Sequence, residues 1–366
     1  MSFKDTLSRS PGVMPALTAA LLFGAATPLA KALLVDTSPW MLAALLYLGS
    51  GLGLAIWRWL RKAERPRLAR SEIKWLMGAT AFGGVVGPVC LMWGLSALPA
   101  ANASLLLNAE CVFTALLAWF VFRENFDVRI ALGMAAILAG AVVLSWPATA
   151  QVAAVPATAV WPTVAVLGAC LAWGIDNNLT RKVSLADASY IAMVKGGVAG
   201  TANLMLALFA GAEWPSPSIV LSAGVLGFAS CGVSLVLFVV ALRGLGTART
   251  GAYFAVAPFF GAALATLVLG ETLSQRLLLA GSLMALGVWL HLTERHAHPH
   301  SHAAMAHSHT HVHGDDPHHD HSHAPTDSVL PGTRHSHLHD HAPLSHTHAH
   351  APDAHHRHRH SHSTEP

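Results

Sequence analysis

ALPAANASLLLNAECVFTALLAWFVFRENFDVRIALGMAAILAGAVVL, residues 97–144, and GLGTARTGAYFAVAPFFGAALATLVLGETLSQRLLLAGSLMALGVWL, residues 244–290, follow one pattern. Each is an apolar run, a short turn containing a glutamate, and a second apolar run. Aligning Glu124 with Glu271 places Ala118 on Ala265 and Gly140 on Gly287. Neither stretch shows the alternation of a half-buried strand or a heptad seam. Each run approaches the ~20 residues that cross a hydrocarbon core. The stretches read as two copies of a membrane-spanning helix pair.

The repetition extends upstream. LLFGAATPLAKALL (21–34) against LAWGIDNNLTRKVS (171–184) puts Gly24 on Gly174 and Lys31 on Arg181. Apolar runs predict spans at 12–35, 38–58, 73–97, 100–122, 126–146, 160–182, 187–211, 217–243, 247–269 and 273–292, numbered one to ten. Five spans per repeat is an odd number, so the second repeat inserts upside down relative to the first. Such inverted repeats surround a midplane site in many secondary transporters. The expected fold is an all-α polytopic membrane protein of ten transmembrane helices in two inverted five-helix repeats, with a disordered His-rich C-terminal tail. The expected divisions are 1–11 (N-terminus), 12–146 (first repeat), 147–159 (linker), 160–292 (second repeat) and 293–366 (tail).

Composition agrees with a bilayer environment. Charged residues are 11% of the chain, against about 25% in a soluble domain. The apolar run after Lys4 and Arg9 extends past signal-peptide length to about Leu34, so it reads as span one. Cys90, Cys111, Cys170 and Cys231 all fall in apolar runs, where each reads as a small hydrophobe. The net charge of +3 is a sum over loops and signals topology, with no nucleic-acid partner implied.

Lysine and arginine fix the expected orientation. Loop 58–74 holds seven of them; with the loops that alternate from it, one face receives sixteen and the other only Lys31 and Arg276. Both termini, and with them the tail, are expected on the cytoplasmic side of the cell membrane. Tryptophans such as Trp40, Trp57, Trp146 and Trp214 lie near span ends, as interfacial rings do.

The paired helices ending in Gly-Glu or Arg-Glu, in register across ten spans, resemble the drug/metabolite transporter superfamily, specifically its EamA-type members. The resemblance covers residues 12–292 and implies cytoplasmic termini and a central cavity between the halves. It also implies movement of small metabolites, often outward, by proton or substrate exchange. One position departs. The second repeat has Ala257-Pro258, a common family arrangement, where the first has Glu110-Cys111. A helix-breaking proline is absent there and a carboxylate stands beside the gap. The stretches LLLNAECVFTALLAWFVFRENFD and CLAWGIDNNLTRKVSLAD, with the histidine tail, resemble an uncharacterised subgroup of the superfamily.

Three ionisable residues fall deep inside spans: Glu110, Asp176 and Lys195. A charge at the bilayer centre costs about 2.5–3.5 kcal/mol on insertion scales, so such residues face a cavity or a partner. Glu110 lies ten residues from one end of span four and fourteen from Glu124, close to the midplane. Asp176 and Lys195 lie roughly 9 and 12 Å into antiparallel spans six and seven, at matching depth. The functional reading makes them an ion pair lining the cavity, with Glu110 as proton or cation carrier and no evident partner at its depth. The plainer reading makes the pair a static fastening of two helices. Asn177 and Asn178, after Gly174, suit either a polar substrate or helix–helix bonding. Asn108 and Asn203 are less informative, and Tyr253 reads more as packing than as cavity lining. Gly83, Gly84, Gly87 and Pro88 read as a packing face with a kink. Lys31, Arg181 and Lys182, near span ends, are expected to snorkel.

All 25 histidines lie at or beyond His291. In HSHTHVHGDDPHHDHSH, residues 307–323, His307, His309, His311, His313, His318, His319, His321 and His323 offer imidazole donors on a flexible segment. That chemistry suits Zn²⁺, Ni²⁺, Co²⁺ or Cu²⁺, without one ligand spacing that defines a site. No cofactor is required. The spans contain no histidine before His291, which disfavours a Ser/His or zinc-protease site, and a single deep aspartate disfavours an aspartyl dyad. No GxxxxGK[ST] loop is present for ATP.

The expectation is therefore a secondary transporter of EamA type, no enzyme, exporting a small polar metabolite, with a metal-binding cytoplasmic tail. Its expected partners are the lipid bilayer, the small-molecule substrate and metal ions. Efflux of a transition metal or its chelate is the alternative, and a non-transporting membrane metal sensor the second. Substrate, coupling ion and oligomeric state are not written in the sequence.

Overall fold

The apolar runs become helices because a bilayer leaves every backbone polar group to be satisfied within its own segment. The computed structural model describes residues 12–63, 66, 70–122, 128–145, 157–183, 187–245, 250, 253–292, 297–302, 305–311, 335–341 and 344–349. Among these, six helices are long and apolar enough to cross a membrane: Val13–Leu33, Pro39–Leu60, Glu72–Ala97, Ala100–Val121, Ala188–Phe209 and Pro217–Ala241. Helices Val128–Ser145, Ala157–Thr180, Ala257–Leu269 and Gln275–Leu292 occupy the other expected spans. The protein is a multi-pass membrane protein whose membrane-spanning part is all-α.

Local chemistry sets several helix ends. Ser38 caps span two by accepting from Met41 N at 3.2 Å, with Pro39 in the first turn. Asp187 caps span seven by accepting from Tyr190 N at 2.9 Å. Gly270 ends span nine in the left-handed region at φ 67°, which turns the chain sharply before Glu271.

Packing carries the repeat into three dimensions. A Cβ on Gly24 would strike the Ala257 carbonyl and Phe260, and one on Gly174 would strike Phe113 and Thr114. Span one thus lies on span nine as span six lies on span four. Gly140 approaches Ala280 and Met284, while Gly287 approaches Gly133 and Ile137. Gly51 meets Gly197, and Gly200 meets Leu48. Each contact has its reciprocal, as a pseudo-two-fold axis between the repeats requires. Small residues permit these close crossings, and in lipid close packing is what drives helices together.

Spans three and eight share a second feature. Each is interrupted midway by a π-helical segment, Thr80–Val86 and Phe228–Val233. Gly83 and Gly84, expected on a kinked packing face, lie in the first. Such segments widen the helix and free carbonyls for other donors. Tyr47 Oη and Trp173 Nε1 donate to Gly83 O at 2.7 and 2.9 Å, and Asn203 Nδ2 donates to Gly84 O at 2.8 Å.

Residues Arg295–Pro366 form a separate unit. Within it β1 (Ala297–His302) pairs with β4 (Leu344–Ala349), and β2 (Met305–His311) with β3 (His335–His341), both antiparallel. Alternation of histidine with small polar residues is compatible with extended backbone, and a ladder satisfies that backbone without needing an apolar core.

Candidate functional site

Span four is discontinuous. Its first half, Ala100–Leu106, ends at Leu107–Asn108, and its second half runs Ala109–Phe122. The α-helical ladder tightens there: Asn108 N donates to Leu105 O at 3.0 Å, and Glu110 N to Leu107 O at 3.0 Å. Asn108 Nδ2 donates to the same Leu105 O at 3.1 Å. The repeat has its counterpart at Ala255–Val256, just before Ala257–Leu269, where Phe259 N donates to Val256 O at 3.1 Å. Proline accompanies the second break and asparagine the first, so the lost proline did not remove the discontinuity.

Two thiols serve the break. Cys111 Sγ donates to Asn108 O at 2.8 Å, and Cys170 Sγ, from span six, to Leu106 O at 3.6 Å. The expectation that these cysteines are only small hydrophobes is corrected. Cys170 reaches the Leu106 carbonyl across from span six, and Cys111 bonds back within its own turn. All four cysteines are free.

Glu110 sits in the first turn of the second half of span four, where helix-terminal N–H groups favour a negative charge. The expectation that it has no partner at its depth is also corrected. Asn177 Nδ2 donates to Glu110 Oε1 at 2.8 Å and approaches Thr114 Oγ1 at 3.3 Å. Asn178 Nδ2 donates to Thr114 O at 3.1 Å and to Gly174 O at 2.8 Å. Asn177 therefore addresses the carboxylate, while Asn178 fastens span six to span four. Gly174 makes both possible, since any side chain there would push the helices apart.

Asp176 points away from that pair. Lys195 Nζ donates to its Oδ1 and Oδ2 at 2.6 and 2.7 Å and to Thr180 Oγ1 at 3.3 Å. Thr180 Oγ1 donates in turn to Asp176 Oδ1 at 2.8 Å. The pair is buried, with side-chain exposures of 7% for Lys195 and 11% for Asp176, and Gly83 abuts the carboxylate. The ion pair expected from matching depth exists. It forms a second cluster, among spans three, six and seven, distinct from the one around Glu110.

Other charges were expected only as topology markers. Lys31 donates from span one to Leu95 O and Ser96 O at 2.7 and 3.1 Å, where it was expected to snorkel. Arg58 is buried, bonds Asp187 Oδ1 at 2.7 Å and Ser189 Oγ, and lies 5.4 Å from the Tyr190 ring centre. Burial would raise the Asp187 carboxyl. Hydrogen bonds from Ser189 and the Tyr190 amide, with the Arg58 charge, outweigh that and hold it below the usual aspartate value.

Among the described residues no three His, Cys, Asp or Glu side chains converge as a metal site. Of the tail histidines singled out, His307, His309 and His311 lie in β2, opposite His339, His337 and His335 of β3. His313, His318, His319, His321 and His323 lie outside the described residues, as do Glu124 and most of the 147–159 linker. A cleft of about 640 Å³ opens between the turns at 35–38 and 210–216, away from Glu110.

Residues 10–146 and 160–293 match the EamA-like transporter family, one match to each repeat. A protein of Methanothermobacter thermautotrophicus named "Uncharacterized transporter" is 30% identical over 294 residues, 76% of this chain and 85% of its own length. A solved structure, titled only "Crystal structure of protein", overlays with a TM-score of 0.60 at 19% identity. It covers 78% of this chain and 99% of its own and shares the fold.

Proposed function

The chain belongs to the EamA-like transporter family, and from that premise we propose that it is a secondary transporter exporting a small polar metabolite across the cell membrane. One observation carries the reading: a carboxylate, Glu110, stands at the break of span four with the Asn177 amide 2.8 Å away on span six. Broken helices near the midplane are where transporters of this architecture present backbone ends and side chains to substrate and coupling ion. Glu110 is the group that takes up and releases a proton or cation. Asn177 senses the exchange, because its N–H bonds a carboxylate more strongly than a neutral acid. A substrate with polar groups competes for the same amide, which couples its binding to the charge on Glu110. Asp176 and Lys195 are positioning residues that hold spans six and seven so that Asn177 faces span four.

Both termini lie in the cytoplasm on this reading, supported by the sixteen-to-two division of lysine and arginine. The tail binds Zn²⁺, Ni²⁺, Co²⁺ or Cu²⁺ there and adjusts transport to metal supply. Efflux of a metal or its chelate is the competing reading, favoured by the histidines; the spans offer it Glu110, Asp176, asparagines and cysteines. Metabolite and metal profiling of deletion and overexpressing cells tests both. Accumulation of one polar metabolite in the deletion strain is the expected result, and a change confined to metal content would overturn it.

A further inference from the structure

The Gly-Glu pair that closes span nine has no part in the transport site just described. In the structure Glu271 reaches out of its own repeat. Its Oε1 accepts from Ala100 N at 2.7 Å and its Oε2 from Ala101 N at 2.8 Å. These are leading N–H groups of the first half of span four, which have no acceptor within their own helix. The preceding Pro99 offers no side-chain cap. Lys31 holds the adjoining turn through Leu95 O and Ser96 O and lies within electrostatic reach of Glu271. Two charged side chains, one from each repeat, thus grip the connection between spans three and four.

The segment so gripped, Ala100–Leu106, is short and ends at the break beside Glu110. It is tied at one end and interrupted at the other. Ser104 Oγ, just before the break, and Asn108 Oδ1, at it, are buried and have no hydrogen-bond partner among the described residues. Buried polar atoms without partners favour any alternative packing that satisfies them. We propose that Glu271 is a latch between the repeats. It holds the first half of span four closed over Glu110, and its release lets that half-helix turn about Leu107–Asn108. This rests on the transporter reading above, in which this end of the bundle faces outside the cell.

The test uses the full chain with Cys90→Ala, Cys170→Ser and Cys231→Ala, leaving Cys111, next to Glu110, as the only thiol. A membrane-impermeant maleimide is applied to intact cells and, separately, to inverted vesicles. Glu271→Ala removes the latch. Ala100→Pro removes one of its two donors while keeping a residue suited to the first helical turn. Each is expected to raise the rate of Cys111 modification in intact cells by about tenfold or more, the shift that loss of one hydrogen bond to a charged group produces. A second reporter, Ala192→Cys with Cys111→Ser, sits in the interior of span seven and should stay unreactive. Unchanged Cys111 reactivity overturns the latch. Parallel exposure of both reporters also overturns it, since Glu271 would then only stabilise the fold. A rise confined to inverted vesicles upholds the latch and overturns the orientation assumed for the transporter.

Discussion

Glu110 has the sharpest consequences among the single residues. If it carries the coupling charge, Glu110→Gln keeps the size and the Asn177 contact but cannot change protonation state. Substrate flux in vesicles should fall at least about tenfold, with Glu110→Asp retaining more activity than Glu110→Gln. Wild-type flux from Glu110→Gln at normal membrane level would assign the residue to structure. The Asp176–Lys195 pair behaves differently because it is buried and saturated. Removing one partner of such a pair leaves an uncompensated charge and costs about 3–5 kcal/mol. Asp176→Asn and Lys195→Ala should each lower thermal stability in detergent, and the double variant should lose less than the sum. Additive losses would mean that the contact contributes nothing of its own.

Asp187 supplies a pH dependence whose sign is fixed by the direction of its shift. Its carboxyl lies below the usual value in the folded protein, so its stabilisation is complete above the unfolded aspartate pKa of about 3.9 and is lost as pH falls through the lower folded value. Melting of the wild type and Asp187→Asn should therefore differ at neutral pH and converge as pH drops below about 4. A gap that persisted unchanged to the lowest pH would show that the charge is irrelevant there.

At the scale of the element, the interrupted helices matter more than the regular ones. The π-helical turn of span three brings Gly83 against Asp176 and hands its carbonyl to Tyr47 and Trp173. Intrinsic propensity favours alanine over glycine in a helix by about 0.5–1 kcal/mol. Overpacking a filled site costs about 1–3 kcal/mol, and here the obstructed atoms belong to a salt bridge that cannot retreat. Packing should win. Gly83→Ala is expected to lower the melting temperature despite its better helix propensity, whereas a rise would show that the π-helical turn can relax. Glycine and proline were visible in this stretch, but the widened turn was not. Its carbonyls accept from three donors on spans two, six and seven, partners that only the packed helices bring there.

At the scale of the whole molecule the paired repeats and the separate tail make different demands. The reciprocal glycine contacts close the bundle using residues before Leu292, and the tail forms its own unit. A chain truncated after Arg295 should therefore insert and transport, while losing metal binding and any response of flux to Zn²⁺, Ni²⁺ or Co²⁺. Imidazoles with an ordinary pKa near about 6.5 bind metal when neutral, so binding by the full chain should weaken below about pH 6 as protons compete. Vesicle flux with and without metal measures the first expectation, and a metal titration across pH the second. Loss of all flux on truncation, at unchanged membrane level, would make metal efflux the better reading.

The sequence by itself determined the helices and the repeat. Apolar length sets a span, and registers such as Gly140 with Gly287 reappear as reciprocal contacts. Caps at Ser38 and Asp187 were equally local matters. The deep charges, too, were legible, because a charged residue in an apolar run stands out wherever it points. Tertiary structure decided which faces meet. A helix in lipid is apolar on every side, so it lacks the polar–apolar contrast from which facing can be read in a soluble protein. Hence Asn177 on Glu110, the Cys170 thiol on the Leu106 carbonyl at the break, and Glu271 on the amides of the other repeat emerged only once the helices were packed. Each joins residues that no local pattern relates, and each answers a backbone or charge left unsatisfied within its own span.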